Sequence, residues 1–405
     1  MDDHTTHHEV LIVGGGAAGI TVASYLLQAD DPPAVTILDP ADTHYYQPLW
    51  TLVGGGVVDK RETERAEASV IPPGATWIQD AATAFDPDHK TVTTADGRVL
   101  TYDYLVVAPG IQINWDGVEG LREGLGTNGI CCNYSYEHCD YTWETAQRVA
   151  RKAGPVRVLF TQPSGAVKCG GAPQKAMYLT SDHLRRSGKL ADAEVHFFSP
   201  GQVIFGVTTF ANTLRKVVER YGIHTNWGHE LIAVRPETQE AVFRVSGGDG
   251  APTERVVGFD MIHAVPPMSA PDVLARSPLA SEAGWTDVDK HTLQHVRYPT
   301  VFGLGDAAST PNAKTGAAIR KQAPVVAHNL LAHRTSRDLD PGYHGYASCP
   351  LVTGYGRLVL AEFDYDNVPD PSFPFDTAQE RYSMWLLKKD LLPDLYWHGM
   401  LKGRA

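Results

Sequence analysis

Hydrophobic positions in this chain fall into short unbroken runs and longer helical repeats. Val10-Leu11-Ile12-Val13, Ala34-Val35-Thr36-Ile37-Leu38, Tyr104-Leu105-Val106-Val107 and Val156-Arg157-Val158-Leu159-Phe160 each end in small or turn-forming residues. Such runs predict buried strands, apolar towards both faces of a parallel sheet. Helical periodicity follows the first run to about Gln28, recurs over 174–186 and 208–221, and returns from about Ala318 to His333. Glu194-Val195-His196-Phe197-Phe198 predicts another strand, and 223–261 a meander of strands. Strands alternating with helices indicate an α/β chain. The pattern divides into 1–153, a second strand–helix unit over 154–290, a return to the first unit over 291–340, and a C-terminal region over 341–405.

The first strand runs into Gly14-Gly15-Gly16-Ala17-Ala18-Gly19. This is Gly-x-Gly-x-x-Gly in its strand–turn–helix setting. Gly14 permits the tight turn, Gly16 lets a pyrophosphate reach the backbone, and Gly19 lets helix and strand pack closely. The second strand ends at Asp39, placed to accept ribose hydroxyls, so the unit is a dinucleotide-binding domain. The middle unit is a second Rossmann-like domain that lacks both features. Its loop reads Thr161-Gln162-Pro163-Ser164-Gly165-Ala166-Val167-Lys168-Cys169-Gly170, and its second strand ends in Ser199-Pro200. A nicotinamide dinucleotide is therefore not expected there. On that stretch alone Cys169 reads either as a loop thiol or as a redox sulfur.

Composition narrows the partners. The 405 residues are 43% hydrophobic and 20% charged, with a formal net charge of −12. That balance suits a globular protein and argues against nucleic acid. No run approaches the length of a membrane span, and the polar N-terminus lacks a secretory signal, so a cytoplasmic protein is expected. Five cysteines, Cys131, Cys132, Cys139, Cys169 and Cys349, form no metal-ligand spacing, and no metal site is expected. Residues 376–405 interleave Leu, Tyr and Trp with Lys388, Lys389, Lys402 and Arg404. Such a stretch suits a membrane interface, a dimer face or a core helix.

Tyr104-Leu105-Val106-Val107-Ala108-Pro109-Gly110 and Tyr298-Pro299-Thr300-Val301-Phe302-Gly303-Leu304-Gly305-Asp306 resemble the second and third flavin signatures of two-dinucleotide-binding-domain flavoproteins. Nearly the whole chain, about Val10 to Gly403, resembles sulfide:quinone oxidoreductases, most closely the branch that includes the mitochondrial enzymes. The resemblance rests on His44-Tyr45-Tyr46-Gln47-Pro48-Leu49-Trp50, Val167-Lys168-Cys169-Gly170-Gly171-Ala172-Pro173, Pro266-Pro267-Met268-Ser269-Ala270-Pro271 and Ser348-Cys349-Pro350-Leu351-Val352-Thr353-Gly354. It implies an FAD/NAD(P)-reductase-like fold of two Rossmann-like domains, with a membrane-associating C-terminal region.

The same resemblance implies FAD as cofactor and Cys169 and Cys349 as the redox pair. FAD contacts are implied at Gly15, Gly16, Asp39, Gln47, Ala82, Asp306 and Lys314, with Gly14, Gly19, Ala108, Gly110, Gly305 and Thr315 completing the turns around it. Lys314 reads equally as a group acting on the flavin or as a solvated loop lysine. Lys168 is expected to lower the pKa of the adjacent Cys169. Hydrosulfide would attack a link between the cysteines, leaving a persulfide on Cys349 and a sulfur anion on Cys169. Electrons would pass through FAD to ubiquinone or menaquinone, and the sulfane sulfur to a small acceptor. The expected location is peripheral, on the inner face of the cell membrane, and a homo-oligomer stays open.

Departures remain. Cys131, Cys132 and Cys139 have no clear counterpart in this branch, and Cys131 or Cys132 stays open as a third redox cysteine. Arg320-Lys321-Gln322 is closer to other sulfide-oxidising flavoproteins, and the short tail after Trp397 implies a weaker or differently shaped anchor. The alternatives are a type II NADH:quinone dehydrogenase, which needs a second nucleotide fingerprint, a non-catalytic flavin-binding redox sensor with Cys169 and Cys349 as a regulatory disulfide, and a structural or interaction protein whose C-terminal helices bind a partner.

Overall fold

The computed structural model describes residues 5–246 and 251–405. The first unit is built on β1 (Thr5–Val13), α1 (Ala17–Leu26), β2 (Val35–Leu38), β3 (Thr76–Ile78), β4 (Ala82–Asp86), β5 (Thr91–Thr94) and β6 (Val99–Val107). Its sheet runs β3-β2-β1-β6-β5-β4. β1 lies parallel between β2 and β6, with Val10 opposite Val35 and Tyr104. Its side chains explain the unbroken apolar run. Val10 and Ile12 pack in one core with Ile20 and Ala23 of α1. Leu11 and Val13 pack in another with Leu38, Leu105 and Val107. A strand covered on both faces has no polar alternation to show. The strand Val301–Gly303 joins this sheet beside the last residues of β6, so the third signature ends next to the first two.

The second unit contains β7 (Ile130–Cys131), α2 (Cys139–Arg151), β8 (Val156–Thr161), α3 (Ala172–Arg186), β9 (Ala193–Ser199), α4 (Thr208–Tyr221), β10 (His224–Trp227), β11 (His229–Arg235), β12 (Glu240–Val245), β13 (Thr253–Gly258) and β14 (Met261–His263). Five strands form a parallel sheet, β7-β14-β8-β9-β10. The expected meander is only β11-β12-β13. β10 and β14 belong to the parallel sheet, and β14 is buried along its length, as a central strand must be. β7 joins this sheet from upstream of residue 154. Further on, Val288 and Leu293 pack in the first unit's core.

Two later elements complete the site. α5 (Gly316–Arg334) packs along α1. The hairpin β15 (Ala347–Gly354) and β16 (Arg357–Phe363) lays β15 against α3. Residues 382–402 then form a helical segment with π turns at Leu387–Leu391 and Leu395–Gly399. Its inner side buries Met384, Trp385, Tyr396, Trp397, Met400 and Leu401. Its end is tied to α1: Ser24 Oγ donates to the Leu401 carbonyl (2.7 Å) and Tyr25 OH to the Ala405 carbonyl (2.9 Å). Its outer side exposes Tyr382 (64%), Leu386, Leu391 (59%) and Leu395. No helix among the described residues is long and apolar enough to cross a membrane.

Candidate functional site

The dinucleotide loop sits between β1 and α1 with little room for anything but glycine. Gly14 has φ +111°, and a Cβ there would collide with the Ala108 carbonyl. A Cβ on Gly19 would collide with the Gly14 carbonyl, while one on Gly16 would meet nothing within 4 Å. Two glycines thus close the loop on itself and the third leaves an open face. Gly16 caps α1 without a side-chain bond, leaving the first-turn N–H groups for a phosphate. Asp39 Oδ2 accepts the Gly15 N–H (2.5 Å) and Oδ1 the Ala41 N–H (2.8 Å), which aims the carboxylate at the loop. Ala82 begins β4 and packs against the core cluster that contains Leu38. These residues fit the adenosine and pyrophosphate part of FAD.

The third signature supplies the other side. Gly305 has φ +71°, and its N–H donates to the buried Gln322 Oε1 of α5 (2.8 Å). Burial raises the Asp306 pKa. Lys314 is not a free loop lysine. Its Nζ donates to the carbonyls of Asp306 (2.6 Å) and Ala308 (3.0 Å) and lies 3.8 Å from the Trp285 ring centroid. Burial lowers its pKa to about 8. Thr315 caps α5 by accepting the Ala318 N–H. Gly110 has φ +78°, and a Cβ on it or on Gly316 would meet nothing within 4 Å, so an open face continues past the turns.

Cys169 lies between these loops and β15. Its φ of +50° is unusual for a residue with a side chain, and its N–H is held by the Lys314 carbonyl (2.7 Å). That turn delivers the chain to α3. A Cβ on Gly171 would strike Leu351, so glycine lets α3 lie close on β15, and Cys349 reaches Cys169. The two cysteines are free thiols, near enough for each to be the largest influence on the other's acidity. That influence divides them. The hydrogen bond from Cys349, then Lys175 and Lys388, hold Cys169 well below the usual thiol range against its burial. The same bond, with burial, pushes Cys349 well above it.

The lysine that touches sulfur is Lys175, not Lys168. Lys175 Nζ lies 3.1 Å from Cys169 Sγ, whereas Lys168 Nζ donates to Gln47 Oε1. Lys168 reaches Cys169 by charge without touching it. A second correction concerns Lys388, grouped above with basic residues suited to a membrane surface. It is 2% exposed, donates to the Pro48 carbonyl (2.8 Å), and has a pKa lowered to about 7, by burial first and then by Lys175. Both lysines left a trace in the sequence. Lys175 shares a helical face with Ala172 and Leu179, and Lys388 with Met384 and Trp385, all buried. A lysine on an apolar stripe is a candidate buried charge.

The remaining cysteines are fully buried, and burial raises Cys131, Cys132 and Cys139 to about 12. Cys132 shares an apolar cluster with Cys169, but its largest influence is desolvation.

The family profile of the pyridine nucleotide-disulphide oxidoreductases matches residues 8–329. The mitochondrial sulfide:quinone oxidoreductase of Dictyostelium discoideum is 44% identical over 390 residues, 96% of this chain and 84% of that protein. The mitochondrial sulfide:quinone oxidoreductase of Mus musculus is 44% identical over 397 residues, 98% of this chain and 87% of that protein. The X-ray structure of the sulfide:quinone oxidoreductase from Aquifex aeolicus shares the fold, with a TM-score of 0.80 at 19% identity over 98% of this chain and 92% of that one. A thiol pair of opposed acidity, Cys349 buried and Cys169 half-buried, beside an FAD-shaped cradle and carried by a sequence with these relatives, places the chain in the sulfide:quinone oxidoreductase family.

Proposed function

We infer that this chain oxidises hydrosulfide at Cys169 and Cys349 and delivers two electrons through FAD to a quinone. The observation that carries this reading is Lys175 Nζ 3.1 Å from Cys169 Sγ, in a thiol pair where Cys169 is held low and Cys349 is pushed high although Lys175 acts on both. When the two sulfurs are joined, hydrosulfide attacks Cys349 Sγ. The S–S bond breaks, its electron pair stays on Cys169, and Cys349 holds a persulfide. In thiol–disulfide exchange the lower-pKa thiol leaves faster. Lys175 stabilises the departing Cys169 thiolate, so the polarity of the pair sets the direction of cleavage. A small sulfur acceptor then removes the outer sulfur from Cys349.

FAD would be held by Gly14, Gly15, Gly16, Gly19, Asp39, Ala82, Ala108, Gly110, Gly305, Asp306, Lys314 and Thr315, with Gln47 reached through Lys168. Bound there, FAD would supply the two-electron acceptor that lets the Cys169 and Cys349 sulfurs rejoin with loss of a proton, and a quinone would take those electrons on. Lys314 anchors the Gly305–Asp306 turn and holds the Cys169 N–H through its carbonyl, so one residue links the turn and the sulfur.

Ubiquinone or menaquinone carries a lipid-soluble tail, which calls for a membrane surface. The stripe Tyr382, Leu386, Leu391 and Leu395 would supply it, since the helical segment's inner side is already packed. We place the enzyme peripherally on a quinone-bearing membrane, with the inner face of the cell membrane as its proposed location. Replacing Leu391 and Leu395 together with Glu should weaken cosedimentation with anionic vesicles by about tenfold or more. An unchanged partition, with a lost dimer instead, would make the stripe an interface between copies.

Anaerobic titration with sulfide tests the reaction itself. Sulfide should bleach the flavin absorbance and decylubiquinone should restore it. Bleaching by NADH and not by sulfide would assign the chain to NADH:quinone chemistry.

A further inference from the structure

Glu67 takes no part in the sulfur chemistry, yet it is 2% exposed and sits at the dinucleotide loop. It opens the short helix Glu67–Val70. Its Oε2 lies 3.1 Å from His44 Nδ1. Its Oε1 finds no hydrogen-bond donor among the described residues. That oxygen lies 3.0 Å from where a Cβ on Gly15 would stand, and Asp39 Cβ approaches the same point at 2.8 Å. Two carboxylates from different parts of the chain therefore converge on one loop.

A buried carboxylate oxygen without a donor is costly, so the site is built for a group that brings one. A phosphate would be repelled. A sugar hydroxyl would donate, and the adenosine ribose of FAD carries two. We propose that Glu67 is a second ribose-holding carboxylate beside Asp39, and that the C-terminal helical segment holds it in place through His44 and Tyr396. This rests on FAD being the cofactor.

The supporting chain admits a proton arrangement that leaves Glu67 free to accept. Burial raises the Tyr396 pKa well above that of a free phenol, so its hydroxyl keeps its proton and donates it. The acceptor is His44 Nε2, at 2.5 Å. His44 Nδ1 then carries the hydrogen and donates to Glu67 Oε2. Glu67 Oε1 is left pointing at the loop with its acceptor capacity free. Tyr396 is itself wedged by Tyr46 (centroids 4.5 Å apart) and Trp397 (5.0 Å). A residue near the end of the chain thereby fixes the aim of a carboxylate near its beginning.

The test compares FAD with FMN, which lacks the adenosine. Full-length chain is stripped of flavin and titrated with each, following quenching of flavin fluorescence. In Glu67→Gln, FAD affinity should fall by about tenfold while FMN affinity stays at the wild-type value. Tyr396→Phe should lower FAD affinity by a smaller factor, about threefold, again sparing FMN. Equal losses for both flavins would make Glu67 a structural residue and overturn the proposal, as would unchanged FAD affinity in Glu67→Gln. A wild-type chain that binds neither flavin would instead overturn the FAD reading.

Discussion

Cys349→Ala should lower sulfide-dependent quinone reduction by at least about a thousandfold while leaving FAD content unchanged. The substitution removes the sulfur that takes the persulfide, and no other cysteine can replace it. Cys131, Cys132 and Cys139 are fully buried with thiols raised to about 12, so they are protonated at neutral pH. Cys169 alone still sits beside Lys175. It loses the hydrogen bond that contributes most to its low pKa, so its thiolate fraction should drop without vanishing. Cys169→Ala should cost as much turnover, for a different reason: Cys349 loses the partner that leaves. Alkylation separates the two. Iodoacetamide at neutral pH should label Cys349→Ala at residue 169 and label Cys169→Ala far more slowly, because burial still raises the Cys349 pKa. Turnover within tenfold of wild type in either variant would remove the cysteine pair from the reaction.

The parts of this protein readable from sequence are those whose physics is local. β1 showed itself because both its faces are buried, and Gly14-Gly15-Gly16 because only glycine fits where a Cβ would hit the Ala108 carbonyl. α4 occupies Thr208–Tyr221, the limits that its periodicity predicts. The site's centre is not local. Cys169 and Cys349 meet through the packing of Gly171 on Leu351, which no spacing announces. Lys168 acts on Cys169 through charge alone, and the lysine in contact, Lys175, was missed because it lies on the next turn of chain and not beside the sulfur in sequence. Lys388 was misplaced for another reason. Its stripe with Met384 and Trp385 one turn back was there to read, but the π turns at Leu387–Leu391 and Leu395–Gly399 shift the helical phase, so a 3.6-residue wheel drawn over the whole segment blurs it. The contact of His44 with both Glu67 and Tyr396 joins residues far apart in sequence, and neither is marked by composition.

Lys175→Met should slow the reduction of the enzyme by sulfide by about ten- to a hundredfold, with the loss in the rate constant and little change in fold. Methionine nearly matches the lysine stem that α3 buries, so the packing survives while the charge goes. Cys169 then loses the ammonium 3.1 Å from its sulfur and its pKa rises, which makes it a poorer leaving group. Lys388 limits the damage. Lys175 helps to hold Lys388 at about 7, so removing Lys175 moves the Lys388 pKa upward and keeps it charged at higher pH. In the wild type, raising pH through about 7 removes the Lys388 charge, and the reduction rate should decline along that limb. In Lys175→Met that decline should shift to higher pH, and in Lys175→Met/Lys388→Met it should disappear from a rate already lower than either single variant. Stopped-flow reduction between pH 6 and 9, paired with the pH dependence of Cys169 alkylation, reads both effects. An alkylation midpoint for Cys169 unmoved in Lys175→Met/Lys388→Met, where no compensating charge is left, would show that neither lysine sets its acidity and that Lys175 has no part in directing the cleavage.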